Sequence, residues 1–154
     1  MKARALALTL ALWFAGAAVS FAQSPQMGTW KLNEAKSKIP AGAIKNTTVT
    51  YEAQGDSVKV TTDGTGNDGQ PTHTEWTGKF DGKDYPLTGD PTGDVRAYTK
   101  INDHTLTLAN KKDGKATETA RIVVSADGKT RTLTAHFTDP AGKKVSSTAI
   151  YDKQ

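Results

Sequence analysis

Arg131 and Tyr151 come nearest to a chemical task in this chain. Arg131 shares strand parity with Leu133, Ala135 and Phe137, so it is expected to point inward. The turn lengths around it place it beside Val124 on one side and Tyr151 on the other. A guanidinium next to a phenol offers donors suited to an anionic head group, because the guanidinium stays charged and its fork is rigid. The alternative is an arginine at a rim, two residues from its turn, reaching out to water. Trp30, Tyr51, Trp76 and Phe80 fall on the same inner face, interleaved with Thr74, Gly78, Ala97, Thr99, Ala120 and Ala149. Rings set among small residues line a ligand cavity, or they fill a collapsed core. The sequence leaves both readings open, and Arg131, Tyr151, Trp30, Tyr51 and Trp76 are the candidate ligand-binding residues.

Other chemistries find little support. His73 shares the outer face with Glu75, His104 borders a turn, and His136 faces outward with Thr134. No two histidines stand at ligand spacing on one strand, so no metal site is expected. Asp63 to Gly69 has the composition of a calcium loop, but its glycine is seventh instead of sixth and Thr74 stands at the glutamate position, so turn chemistry accounts for it. There is no Gly-x-Ser-x-Gly and no cysteine, so the common nucleophile signatures are missing. No cofactor and no catalytic residue is expected, and an enzyme ranks third among the readings.

These residues need elements to position them, and the elements are strands. Gly114-Lys115, Gly128-Lys129 and Gly142-Lys143 recur every 14 residues. One strand plus one tight turn takes about that length. Helical periodicity is confined to Asn33–Lys38, one turn capped by Asn33 before Pro40. Elsewhere apolar residues alternate: Val49 and Tyr51, Val58 and Val60, Trp76 and Phe80, Val95 and Ile101, Leu106 and Leu108, Ile122 and Val124. On that pattern Arg96 and Arg121 face outward.

Loop length fixes which residues meet across a hairpin. Gly55-Asp56 sets Tyr51 opposite Val60, Asp127-Gly128 sets Ile122 opposite Leu133, and Pro140-Ala141-Gly142 sets Phe137 opposite Val145. A loop at Asn102-Asp103 sets Leu106 opposite Thr99, and a three-residue loop at Lys112-Asp113-Gly114 sets Leu106 opposite Ala120. Asp63–Gly69 and Gly89–Gly93 are expected as loops. The result is an all-β fold, an antiparallel up-and-down meander of about ten strands, including a short one near Tyr85–Leu87. A meander that long curls until its ends meet.

The first 22 residues lie outside that fold. Lys2 and Arg4 precede an apolar run from Ala5 to Ala18, and Ser20-Phe21-Ala22 supplies small residues where a signal peptidase cuts. The run is short for a membrane span. The expectation is residues 1–22 as signal peptide, 23–154 as one domain, and a periplasmic or secreted protein with no stable membrane insertion. The mature 132 residues carry 18 basic and 16 acidic side chains, well interspersed. That balance gives weak support for nucleic-acid or membrane binding, a solvated surface accounts for it better, and no nucleic-acid partner is expected. With no cysteine, the domain has to be held by its core alone.

Gly28-Thr29-Trp30-Lys31-Leu32 resembles the Gly-x-Trp first strand of the lipocalin and fatty-acid-binding superfamily, in which the tryptophan plugs one barrel end. Ala149-Ile150-Tyr151-Asp152-Lys153 resembles the last strand of the intracellular fatty-acid-binding proteins. The mature chain also resembles an exported bacterial family of lipocalin-like proteins without known activity, through Gly28–Asn33, Phe80-Asp81-Gly82-Lys83-Asp84-Tyr85-Pro86 and Ser125-Ala126-Asp127-Gly128-Lys129-Thr130. The resemblance implies a lipocalin-like barrel. Two departures limit it. Ala149 stands where fatty-acid-binding proteins place a carboxylate-holding arginine, and about a dozen residues replace their two-helix insertion. The function expected is non-enzymatic binding of a small hydrophobic or anionic amphipathic ligand inside the barrel. The rival is a structural or protein-interaction module of the cell envelope with a filled core.

Overall fold

Glycines at left-handed φ close several of the hairpins that organise this chain. Gly55 (φ +60°), Gly128 (φ +71°) and Gly142 (φ +83°) stand where the sequence puts turns, a conformation that other residues adopt only at a cost. The structure is a computed structural model that describes residues 24–139 and 141–154. The signal-peptide segment, and Pro140 of the last turn, lie outside the described residues.

Ten strands are found among the described residues. They are β1 (Gly28–Leu32), β2 (Lys45–Gln54), β3 (Ser57–Thr65), β4 (Pro71–Gly78) and β5 (Tyr85–Thr88), followed by β6 (Val95–Asn102), β7 (Thr105–Lys112), β8 (Lys115–Val124), β9 (Thr130–Thr138) and β10 (Lys144–Lys153). Each pairs antiparallel with its sequence neighbours, and β1 closes onto β10 through Trp30 opposite Lys153 and Leu32 opposite Tyr151. A single 3-10 turn, Glu34–Lys36, follows β1, with the Asn33 side chain accepting from the Lys36 N–H as its cap. The strand at 57–65 takes in Asp63–Thr65, so the loop expected there starts only at Gly66.

Period-2 alternation puts one set of side chains inside. Tyr51 lies opposite Val60, Ile122 opposite Leu133, Phe137 opposite Val145 and Arg131 opposite Tyr151, as the turn lengths require. Two registers differ from expectation. Leu106 faces Lys100 and Ile122, not Thr99 and Ala120. Two causes combine: the turns are two-residue loops at Asp103-His104 and Asp113-Gly114, closed by Asn102 opposite Thr105 and Lys112 opposite Lys115, and each neighbouring strand carries a bulge. Ile101 is skipped between Lys100 and Asn102, and Thr117 is skipped between Ala116 and Glu118. An extra residue shifts pairing and flips the faces beyond it. Ile101 is therefore 53% exposed, and in β6 the inner face belongs to Arg96 and Tyr98, not to Val95 and Ile101.

One end of the barrel is closed. Trp30 is fully buried and its indole N–H donates to the Gln26 carbonyl at 3.0 Å. The Lys153 ammonium sits 5.0 Å from the ring centroid. Next to this plug, Tyr51, Trp76, Phe80 and Tyr98 pack ring against ring. Trp76 stacks on Phe80 (6.3 Å, 9°) and meets Tyr98 edge-on at 4.7 Å, the offset and edge geometries that aromatic quadrupoles favour. Its indole N–H donates to the Arg96 carbonyl at 2.9 Å.

Gly78 makes that packing possible. A Cβ there would lie 2.5 Å from Tyr85 Cγ and 2.7 Å from Trp76 Cζ2. Gly78→Ala is therefore expected to destabilise by about 1–3 kcal/mol through overpacking. Urea unfolding monitored by tryptophan fluorescence checks this, and an unchanged midpoint would mean that the rings move aside freely.

Candidate functional site

Between the aromatic floor and the opposite end of the barrel lies a cavity of about 390 Å³. Its wall is built by inward residues of β2, β3, β4 and β6–β10, including Val49, Thr62, Thr74, Leu108, Leu133 and Ala135. Its mouth is formed by Ile39, Ala43 and Ile44 of the β1–β2 connection, by Gly89–Thr92 between β5 and β6, and by Thr138 and Asp139 at the end of β9. The wall combines apolar side chains with hydroxyls and a few charged groups. That is the usual character of a small-molecule site, in which a small number of polar groups fix orientation.

Arg131 is the polar group at the closed end. It is 1% exposed, so it is not a rim residue. The turn two residues before it belongs to the end that the tryptophan closes. Its guanidinium lies 5.1 Å from the ring centroids of both Tyr51 and Tyr151, a cation held between two π faces. Nη2 donates to the Tyr51 hydroxyl at 2.8 Å. Nε and Nη1 are buried and have no hydrogen-bond partner among the described residues. Buried guanidinium N–H groups are normally satisfied, so two unanswered donors on a residue that lines the cavity single out Arg131 as the group an acceptor would seek.

Tyr151 behaves differently from the sequence expectation. Its hydroxyl donates to the Asn46 carbonyl at 3.0 Å, so its one proton is used by the backbone and only its ring supports Arg131. Burial pushes the hydroxyls of Tyr51 and Tyr151 above their usual range, and the Arg131 cation offsets only part of that. Burial thus favours the neutral form of both phenols, which meet the cation with their rings, Tyr51 also accepting a hydrogen bond from it.

The candidate residues separate by height. Arg131 and Tyr151 line the cavity. Trp30, Tyr51 and Trp76 do not: Trp30 plugs the closed end, Tyr51 backs Arg131, and Trp76 belongs to the ring cluster. The histidines sit apart. His73 pairs with Asp63 (2.6 Å) on the outer wall, His104 contacts the Val124 carbonyl and His136 contacts Ser146.

Sequence reasoning missed a second polar group on the wall. Arg96, Asn110 and Glu118 face one another across β6, β7 and β8. Arg96 is 8% exposed, against its expected outward orientation, and Asn110 is fully buried. Arg96 Nε donates to Asn110 Oδ1 at 2.6 Å, and Asn110 Nδ2 donates to Glu118 Oε2 at 2.9 Å. Arg96 Nη2 also approaches Asp90 Oδ2 of the mouth at 3.7 Å. Burial raises the Glu118 carboxyl above its ordinary range, and Arg96 counters it. Burial works against the Arg96 charge, but Tyr98, Glu118 and Asp90 raise its pKa. The parity of Leu106 with Asn110, and of Ile122 with Glu118, was a signal that could have found two of the three.

The solved structure of EF1p2_mFAP2b bound to DFHBI is similar to this chain in fold, with a TM-score of 0.51 and 12% identity, over 84% of this chain and 94% of that one. At that identity the likeness speaks to the barrel architecture alone. No family model matches the chain, and no curated protein matches it in sequence.

Proposed function

We propose that this chain is an exported, lipocalin-like binding protein without catalytic activity, which holds a small amphipathic anion inside its barrel. The observation that carries this reading is the cavity of about 390 Å³ with two unpartnered guanidinium N–H groups at its closed end. An acid group accepts from Arg131 Nε and Nη1, and an apolar tail lies along Leu133, Ala135 and Leu108. The fold neighbour was solved with a small molecule bound, which supports the reading. A filled-core module of the cell envelope would pack this volume with side chains, so the cavity favours the binder over that rival.

Filling the cavity tests the proposal. Ala135 lines it, is buried, and sits between Ala120 and Ser147 on the neighbouring strands. Ala135→Phe is expected to weaken binding of dodecanoate by more than about tenfold, because the ring takes the space of the tail, while leaving the protein folded. Titration calorimetry reads the affinity and circular dichroism the fold. Unchanged affinity in a folded variant would place binding elsewhere.

Export is the second part of the proposal, motivated by the charged start, the apolar run and Ser20-Phe21-Ala22. N-terminal sequencing of protein recovered outside the cytoplasm should begin at Gln23. Recovery solely of cytoplasmic protein that keeps the leader would reverse it.

A further inference from the structure

An anion at Arg131 leaves half of the cavity's polar equipment unused. Five charged residues line the space: Arg131 at the closed end, and Arg96, Glu118, Asp90 and Asp139 toward the mouth. The mouth group carries one cation against three carboxylates. Asp139 is engaged by the Ala141 and Lys143 N–H groups of its own turn. Asp90 accepts from the Thr92 N–H and hydroxyl and faces Arg96. Arg96 is directed at Asn110 and Asp90. Glu118 is the acceptor left over: its Oε2 takes the Asn110 amide, and its other oxygen has no hydrogen-bond partner among the described residues. The cavity is thus polarised along its length, with a lone cation at the floor and excess negative charge above.

The separation of these two poles follows from the ladder. Val124 pairs with Arg131, and Glu118 pairs with Phe137, six residues further along β9. At about 3.4 Å per residue the backbones of the two rungs stand roughly 20 Å apart along the strands, and both residues line the cavity between. A medium-length chain spans that gap.

We propose that the ligand is bipolar, carrying an acid group for Arg131 at one end and a hydrogen-bond donor, cationic or hydroxylic, for Glu118 at the other. This rests on the cavity being the binding site. A carboxylate facing a partly dry space is satisfied by a donor and repelled by a second anion. An acid-only chain leaves Glu118 with one unanswered oxygen; a donor-tipped chain does not. Specificity of this kind comes from the penalty on the wrong partner as much as from attraction to the right one.

The experiment compares dodecanoate, ω-hydroxydodecanoate and ω-aminododecanoate on the full mature chain, for wild type and Glu118→Gln, by calorimetry. Wild type is expected to bind the ω-amino chain about tenfold tighter than dodecanoate, with the ω-hydroxy chain between them. Glu118→Gln should erase that preference, by weakening the ω-amino chain and relieving the penalty on dodecanoate. The wild-type ranking stands by itself if the variant folds poorly. Dodecanoate binding with no preference for a donor tip would overturn the bipolar ligand and leave the cavity reading intact. A preference that survives Glu118→Gln would also overturn it, by assigning the donor to another group. Failure of all three probes to bind would remove the cavity reading itself.

Discussion

Replacing Trp30 by alanine is expected to remove about 3–5 kcal/mol of stability, the range for deleting a buried aromatic ring. Several losses combine at this position. The side chain is fully buried, so its apolar area returns to an unfilled space. The Gln26 carbonyl loses its indole donor, next to a Gln26 side-chain amide that already has no hydrogen-bond partner among the described residues. The Lys153 ammonium loses the ring beneath it. The site collapses poorly because it lies where β1 closes on β10, and both neighbours are held by the ladder. Urea unfolding should show a lowered midpoint with an unchanged slope. A change within about 0.5 kcal/mol, typical of surface positions, would mean that the barrel end is closed by other residues.

Arg131→Met is expected to move affinity and stability apart. The guanidinium is buried with two open N–H groups, and leaving such groups unsatisfied costs roughly 1–3 kcal/mol or more. Methionine fills similar volume without donors. The apo protein should therefore hold its stability or gain some, as happens when buried charges give way to apolar residues of like size. Tyr51, which loses its donor, has Tyr98 beside it as a polar neighbour. Affinity for dodecanoate should fall by about 1.5–3 kcal/mol, tenfold or more, while dodecanol loses much less. Equal losses for both probes, or destabilisation beyond about 3 kcal/mol, would make Arg131 a structural residue. Stability given up at a binding site is a common signature of function.

Most of the wall was legible in the sequence. Alternation and turn chemistry agree around Asp127-Gly128 and Gly142, so the pairings of Ile122 with Leu133, Phe137 with Val145 and Arg131 with Tyr151 follow directly. The misreadings trace to two turns placed one residue off, at Asp103-His104 and Asp113-Gly114, and to two extra residues. Ile101 and Thr117 are bulged, and nothing in their types marks them. Once Ile101 is taken as an inward residue, Arg96 is forced outward, although Tyr98 on the same parity is the larger ring and the better guide to the face. Asn110 and Glu118 were hidden for another reason. They share a face with Leu106 and Ile122, but a search for apolar residues passes over polar ones on the inner side. Arg131 was placed on the correct face and at the wrong depth, because strand parity gives direction and says nothing about which barrel end is sealed.

The closure of β1 on β10 has a consequence for how this protein behaves in company. Every strand of the closed barrel has a hydrogen-bonded neighbour on both sides, so the wall has no edge strand onto which a second chain can add. That matters for a threonine-rich chain with no disulfide to hold it shut. The thinnest tie is β5, which is joined to β4 and to β6 by two residue pairs each. If the wall parted there, the exposed border would carry Pro86, which has no N–H to donate, just after Lys83 and Asp84. A proline and flanking charges are what discourages intermolecular pairing at a strand border. The seam that opens most readily is thus also the one least able to recruit another molecule.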